Sequence, residues 1–349
     1  MRIRPLLTLA LILALGPAHA GEWELGGPRW AHGQHAGTRV EGGALTLASG
    51  AAVGTWSCAL PSGGASFDRL LSSLNPDGPW PSGAGATLEV RVRVQGAWSA
   101  WLPLGVYGRG AGLPRSVTAP TSVGAKVDTD LLVAARAADA CELRLGLSAS
   151  ATAPRLRRLA LDLWTRRAAA PEPPRTPHPA WGRVLDVPRR SQRSAPRAIA
   201  GRVCSPTSLG MALAFHGVRC TTEQVAAAVF DAGADAYGNW SFNVAYAAER
   251  GLEATARHLE GFAALEDEVA AGRPVVLSHR YPAGALTGGP VEATEGHLIV
   301  VVGFDAQGDV VVNDPAATPE TVRRTYRRAE LWRTWQHHAE GVVYLLRPR

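Results

Sequence analysis

The sequence predicts two domains of different class: an all-β sandwich over residues 21–165 and an α+β domain over residues 183–349. Three observations predict it. Once an N-terminal leader is set aside, about 330 residues remain, more than one hydrophobic core usually organises. Residues 21–165 are rich in glycine and alternate apolar with polar side chains between closely spaced turn clusters, an all-β pattern. Residues 166–182 then become proline-rich and read as a stiff, extended linker, beyond which helical and strand patterns alternate.

Residues 1–20 open with Arg2 and Arg4, continue through the apolar run from Leu6 to Leu15 and end in Ala18-His19-Ala20. This is the pattern of a secretory signal peptide, and the run is too short to span a bilayer. The expected product is secreted or periplasmic, with no membrane span after cleavage and no cysteine at the new N-terminus to take a lipid. The formal net charge of +6 falls by two when Arg2 and Arg4 leave, and the basic residues form no stripe interleaved with aromatics, so nucleic acid is not an expected partner.

In the first domain Ala86 to Val94 alternates cleanly and Trp98 to Val106 follows as its partner strand. Leu131 to Ala135, Cys141 to Leu147 and Leu156 to Trp164 read as further strands of a jelly-roll or immunoglobulin-like sandwich. Trp56, Trp80, Trp98 and Trp101 suit either a core or a face on which sugar rings stack, which would give this domain a glycan or cell-wall ligand. Cys58 and Cys141 fall near strands of the same domain, and in an oxidising compartment they are the expected disulfide. The other two cysteines, Cys204 and Cys220, are separated by a whole predicted helix, too far to bridge at about 1.5 Å per residue. Cys204 is therefore expected to be a free thiol.

The second domain opens with a short strand at Leu185 to Pro188 and a loop bearing Gln192. Gly201 to Gly217 then runs from loop into helix, with Cys204 at the junction, Cys204 or Ser205 able to cap, Pro206 at an early position and Gly217 as terminator. A thiol at a helix N-terminus is favoured as the thiolate, the nucleophilic form. Helices follow at Thr222 to Phe230, Ser241 to Arg250 and Phe262 to Ala271, then a strand at Pro274 to Ser278. Gly296 to Phe304 reads as a buried strand with His297 at its start, and Asp309 to Pro315 as its antiparallel partner ending in Asp314. That hairpin makes His297 and Asp314 neighbours in space.

Each residue alone has an ordinary reading: a core cysteine, a strand-end histidine, a turn acid, a solvated glutamine. Together they supply a nucleophile, a base, an orienting acid and an oxyanion donor, the set of roles that acyl transfer needs. Gln192, Cys204-Ser205-Pro206-Thr207-Ser208-Leu209, Gly296 to Phe304 and Asn313-Asp314-Pro315-Ala316 resemble the papain-like peptidases of cysteine peptidase family thirty-nine, over residues 183–349. The resemblance implies a papain-like fold, a peptide or protein substrate, no cofactor and no metal, and catalysis by Cys204, His297 and Asp314 with Gln192. Ser205 stands where many members have glycine. The exporter-linked members carry membrane and ATP-binding domains, and no such segment is expected here. Asn239, Trp240 and the glycine- and proline-rich stretch from Tyr281 to Glu295 are expected to flank the substrate cleft.

Transglutaminase-like enzymes and cell-wall amidases share the Cys, His, Asp order, and the residues do not separate water from an amine as the acyl acceptor. A third reading, from another class, is an inactive papain-like fold in a surface-binding protein.

Overall fold

The computed structural model describes residues 21–60, 66–167, 171–172, 174–337 and 339–349. The leader expected over residues 1–20 lies outside them. The first region is all β: β1 (Glu22–Gly26), β2 (Gln34–Ala36), β3 (Thr38–Glu41), β4 (Ala44–Leu47), β5 (Val53–Leu60), β6 (Phe67–Pro76), β7 (Ala84–Val94), β8 (Ala97–Trp98), β9 (Leu102–Gly110), β10 (Leu113–Arg115), β11 (Ala125–Asp128), β12 (Leu131–Ala149) and β13 (Leu156–Trp164). The two strands expected at Leu131 to Ala135 and Cys141 to Leu147 are one strand, β12. Its first residues pair with β6 and its later ones with β7 and β5, so it ties two stretches of sheet around a shared core. Strand β7 shows the cause in its sequence, since Ala86, Leu88, Val90, Val92 and Val94 are buried while Thr87, Glu89, Arg91 and Arg93 face outward.

The structure bears on two expectations for this region, and it corrects the disulfide. Trp56 and Trp80 are core residues: Trp56 meets Trp30 edge to face at 5.0 Å, and Trp80 stacks on Tyr107 at 6.4 Å. Trp98 and Trp101 are at the surface, but the guanidinium of Arg91 lies 5.0 Å from each ring and that of Arg144 4.4 Å from Trp101. The four rings therefore form no common open platform. Cys58 and Cys141 are free thiols rather than a disulfide. Cys58 stands opposite Leu143 and Cys141 opposite Leu60, so the two are diagonal neighbours. Such Cα atoms are roughly 7–8 Å apart, beyond the usual reach of a disulfide. Burial pushes the Cys141 thiol up to about 12 and raises that of Cys58.

The second region contains α1 (Cys204–Phe215), α2 (Thr222–Val229), α3 (Trp240–Glu249), β14 (Leu252–His258), α4 (Phe262–Ala270), β15 (Val275–Tyr281), β16 (Thr294–Phe304), β17 (Val310–Asn313), β18 (Arg323–Tyr326), α5 (Arg328–Trp332) and β19 (Val342–Pro348). Six strands form one antiparallel sheet in the order β14-β19-β15-β16-β17-β18. β16 is buried on both faces, as its unbroken apolar run requires. Leu298, Val300 and Val302 pack with Leu209 and Leu213 of α1, whereas Ile299, Val301 and Phe304 pack with Phe262 of α4 and Trp335. α2 begins with a capping box between Thr221 and Gln224, and Gly251, at φ 94°, turns the chain out of α3 into β14.

The two regions are packed directly on each other. β14 is the edge strand of the second sheet, and a bare edge invites pairing with another chain. Here side chains of β6 cover it. Asn75 donates from Nδ2 to Ala254 O at 2.8 Å and accepts from Ala254 N at 3.0 Å, while Ser73 Oγ accepts from Ala256 N at 2.9 Å. Asp130 of the first region accepts from Ser241 N at 2.9 Å, completing the first turn of α3, and Phe242 enters the first region's core against Tyr107. Burial pushes the Asp130 carboxyl up to about 7. The described linker residues also lie against the second region rather than spanning open space: Arg175 pairs with Asp309 at 3.1 Å and Trp181 donates to Glu266 at 2.6 Å.

Candidate active site

Cys204 is the first residue of α1, one position further into the helix than a capping role requires. Val203 takes the cap position with no side-chain bond, which leaves the first-turn N–H groups available to an anion at the thiol. Ser205 turns inward, bonding Asn243 Oδ1 at 2.9 Å and Tyr344 OH at 3.1 Å. Ser208 Oγ donates to Leu298 O at 2.8 Å, fixing α1 against β16 at the residue after His297. Cys204 is partly exposed, and the His297 side chain is near enough to act on the ionisation of its thiol.

His297 meets Asp314 through Nε2 and Oδ1 at 2.8 Å, which leaves Nδ1 as the nitrogen for the thiol. In the β16/β17 register Val300 stands opposite Asn313, so Asp314 falls on the face of Ile299 and His297 and Asn313 on the other. Asn313 has a different role: it donates to Val187 O at 3.2 Å and accepts from Arg323 Nε at 2.6 Å. Asp314 is wholly buried and further held by Ala316 N at 2.9 Å on Oδ1 and by Tyr326 OH at 2.6 Å on Oδ2.

These contacts decide the charges. Burial opposes ionisation of Cys204, but the hydrogen bond and charge of His297, with the N–H groups of Leu298 and Ser205, bring its thiol below the ordinary value. Burial also opposes an imidazolium at His297, yet Asp314 first and Cys204 second push it up to about 10. His297 and Tyr326 hold Asp314 well below the usual carboxylate range against its burial. A thiolate beside an imidazolium is the form these environments favour.

Gln192 begins a 3-10 turn, Gln192–Ser194, and its N–H donates to Pro315 O at 2.8 Å, so its loop is fastened to the residues that follow Asp314. Its side chain is buried with Oε1 unpartnered. Beside it an open groove of about 400 Å³ is lined by Gln192, Arg197, Gly201, Ala316 and, from the stretch before His297, Val291. Asn239 is not at a cleft. It caps α3, accepting from Phe242 N at 3.0 Å and donating to Asp231 at 2.9 Å, and it is buried. Trp240 starts α3 and packs half-buried against the second region's core, and the expected substrate contact is corrected for Asn239.

Two site neighbours escape a reading of the sequence alone. Tyr326 lies on the short, arginine-rich β18, which has no apolar alternation to announce it. His279 lies on β15 opposite His297, one residue past the expected strand end. The pairing of a histidine on each of two successive strands is the signal that could have found it. His279, His297 and Asp314 each bring a donor atom within 4.8 Å of the others, residue types that can ligate a metal ion.

Residues 184–341 match the peptidase C39 like family, and residues 21–162 match the peptidase C39 N-terminal domain. Among solved structures, the chain is similar to a double glycine motif protease from an AMS/PCAT transporter in complex with the leader peptide. That likeness has 20% identity and a TM-score of 0.33, over 48% of this chain and 94% of that one. A family two carbohydrate esterase from Cellvibrio japonicus is similar at 14% identity and TM-score 0.20, over 44% of this chain and 37% of that one. No curated protein matches significantly.

Proposed function

Since its second region belongs to the peptidase C39 like family, the chain is a cysteine peptidase, and we propose that it hydrolyses peptide bonds with Cys204 as nucleophile, His297 as base and acid, Asp314 as orienting carboxylate and Gln192 as oxyanion donor. The single observation that supports this reading is His297 bonded to Asp314 through Nε2 while its ring acts to lower the Cys204 thiol. The thiolate attacks the scissile carbonyl carbon, and the resulting oxyanion takes hydrogen bonds from the first-turn N–H groups of α1 and the Gln192 amide. His297 passes its Nδ1 proton to the departing amine. Water then attacks the thioester, giving a proton back to His297 and releasing the acid product, while Asp314 holds the ring in place throughout. Export under the residue 1–20 leader, and a bracing rather than ligand-binding role for the first region, are parts of the same proposal.

Iodoacetamide tests it. Because the Cys204 thiol is lowered and that of His297 raised to about 10, the ion pair persists from the thiol's depressed value up to that of the imidazolium. Cys204 is thus expected to alkylate rapidly at neutral pH, in parallel with loss of casein cleavage, and to slow only as pH falls through the depressed thiol value. In His297→Ala the same curve moves up toward an ordinary thiol. A curve unchanged by His297→Ala removes the ion pair from the reading, and full activity after alkylation removes Cys204.

Tyr326→Phe takes one donor from the Asp314 carboxylate and leaves Oδ2 buried without it, a loss of about 1–3 kcal/mol. The expected outcome is kcat reduced several-fold to tenfold with KM little changed, together with a lower melting temperature. Equal kcat in the two proteins would make the Tyr326 contact structural only.

A further inference from the structure

His279 takes no part in the steps above. It is wholly buried, and its ring lies 5.4 Å from that of His297 across the β15/β16 pair. Its Nδ1 has one long contact, 3.5 Å to Thr334 Oγ1, and its Nε2 has no partner. A buried ring nitrogen left unbonded costs about 1–3 kcal/mol. Burial and the charge on His297 hold the ring neutral, pushing it down to about 3. Thr334 Oγ1 gives its own proton to Leu331 O, so it accepts from His279 Nδ1–H and leaves Nε2 as the bare lone pair. His279 belongs to a group with His297 and Asp314 in which one donor atom of each lies within 4.8 Å of the others. Two imidazoles and a carboxylate suit zinc and its neighbours, whereas calcium and magnesium prefer all-oxygen sets.

We propose that His279, His297 and Asp314 form an inhibitory site for a divalent transition-metal ion of the zinc class. The inference rests on the reading of His297 and Asp314 as catalytic, and it adds a ligand and a mode of regulation to them. The metal takes the place of the proton between His297 Nε2 and Asp314 Oδ1, and that proton leaves to solvent. With the cation on Nε2 the ring is a metal-bound neutral imidazole that keeps its Nδ1 proton, and handing that proton to the departing amine would leave an imidazolate, so His297 no longer serves as acid and base. No bond in the chain is made or broken, and a chelator restores the proton and the activity. The edge of His297, whose side chain remains 6% exposed, is the route of entry.

The test is calorimetric titration of zinc chloride into the full chain carrying Cys204→Ala, which removes the thiol as a ligand and makes binding independent of turnover. One ion per chain is expected, with affinity at least tenfold weaker in Cys204→Ala combined with His279→Phe and again with His279→Gln. The glutamine variant keeps a polar group of similar size, and it decides the matter if the phenylalanine variant fails to fold by circular dichroism. Wild-type casein cleavage should fall over the same zinc range and return with EDTA. No binding to the Cys204→Ala chain, or affinity within twofold in the folded His279 variants, overturns the site. Cleavage that survives Cys204→Ala instead sinks Cys204 as the nucleophile and leaves the zinc measurement standing.

Discussion

Asp314→Ala is expected to lower kcat/KM by roughly a thousandfold or more, on the scale of losing an orienting carboxylate from a nucleophile–histidine pair. The reason lies in the charges. Asp314 is the larger of the two influences that push His297 up to about 10, so its removal lets burial prevail and the imidazolium gives up its proton. The thiol then rises with it, and the acid limb of the pH–rate profile moves to higher pH. The neighbouring Asn313→Ala behaves differently. It breaks the bonds from Nδ2 to the Val187 and Pro188 carbonyls and the bond accepted from Arg323, so it costs about 2–4 kcal/mol of stability through buried groups left unpaired but keeps the His297 contact. Turnover and thermal melts of both variants check this. The reverse ranking in turnover would transfer the orienting role to Asn313.

The contrast between those two residues also marks what was legible. Neighbours on a strand face opposite ways, so only one of the pair reaches His297; the family resemblance pointed to Asp314, and the face that β16 offers is visible only in its register with β17. The helix from Cys204 and the strand through Val300 were readable because one ends in a glycine and the other is apolar throughout, both local signals. Asn239 was misread for a local reason too, since an asparagine ahead of an apolar run is more simply a cap, and its bond to Phe242 N is that of a cap. Cys58 and Cys141 were paired by compartment and count, but a disulfide depends on register, and theirs is diagonal. Least legible was the contact between regions. Ser72, Ser73 and Asn75 look like solvent-facing strand residues, yet all three are buried against α3 and β14, and the proline-rich stretch between regions suggested separation where there is contact.

Removing residues 21–165 is the change with the broadest expected effect. The remaining chain would expose Ala254 and Ala256 of β14 without Asn75 and Ser73, presenting a strand edge with open N–H and C=O groups. It would also bare Phe242, which sits in the first region's core, and strip α3 of the Asp130 carboxylate at its N-terminus. These losses reach the active site through α3, because Asn243 on that helix holds Ser205, the residue after Cys204, and Tyr344 holds it from β19 beside β14. The truncated chain is therefore expected to self-associate on size exclusion and to lose at least a hundredfold in kcat/KM, with slow alkylation of Cys204 at neutral pH. Full-length Ser73→Ala/Asn75→Ala separates the edge from the rest: with two sets of buried polar contacts gone, each worth about 1–3 kcal/mol, it should melt several degrees lower while keeping most of its turnover. A truncated chain that runs as a monomer and cleaves casein at the full-length rate would show that the peptidase sheet needs no cover, and the first region would have to be given another role.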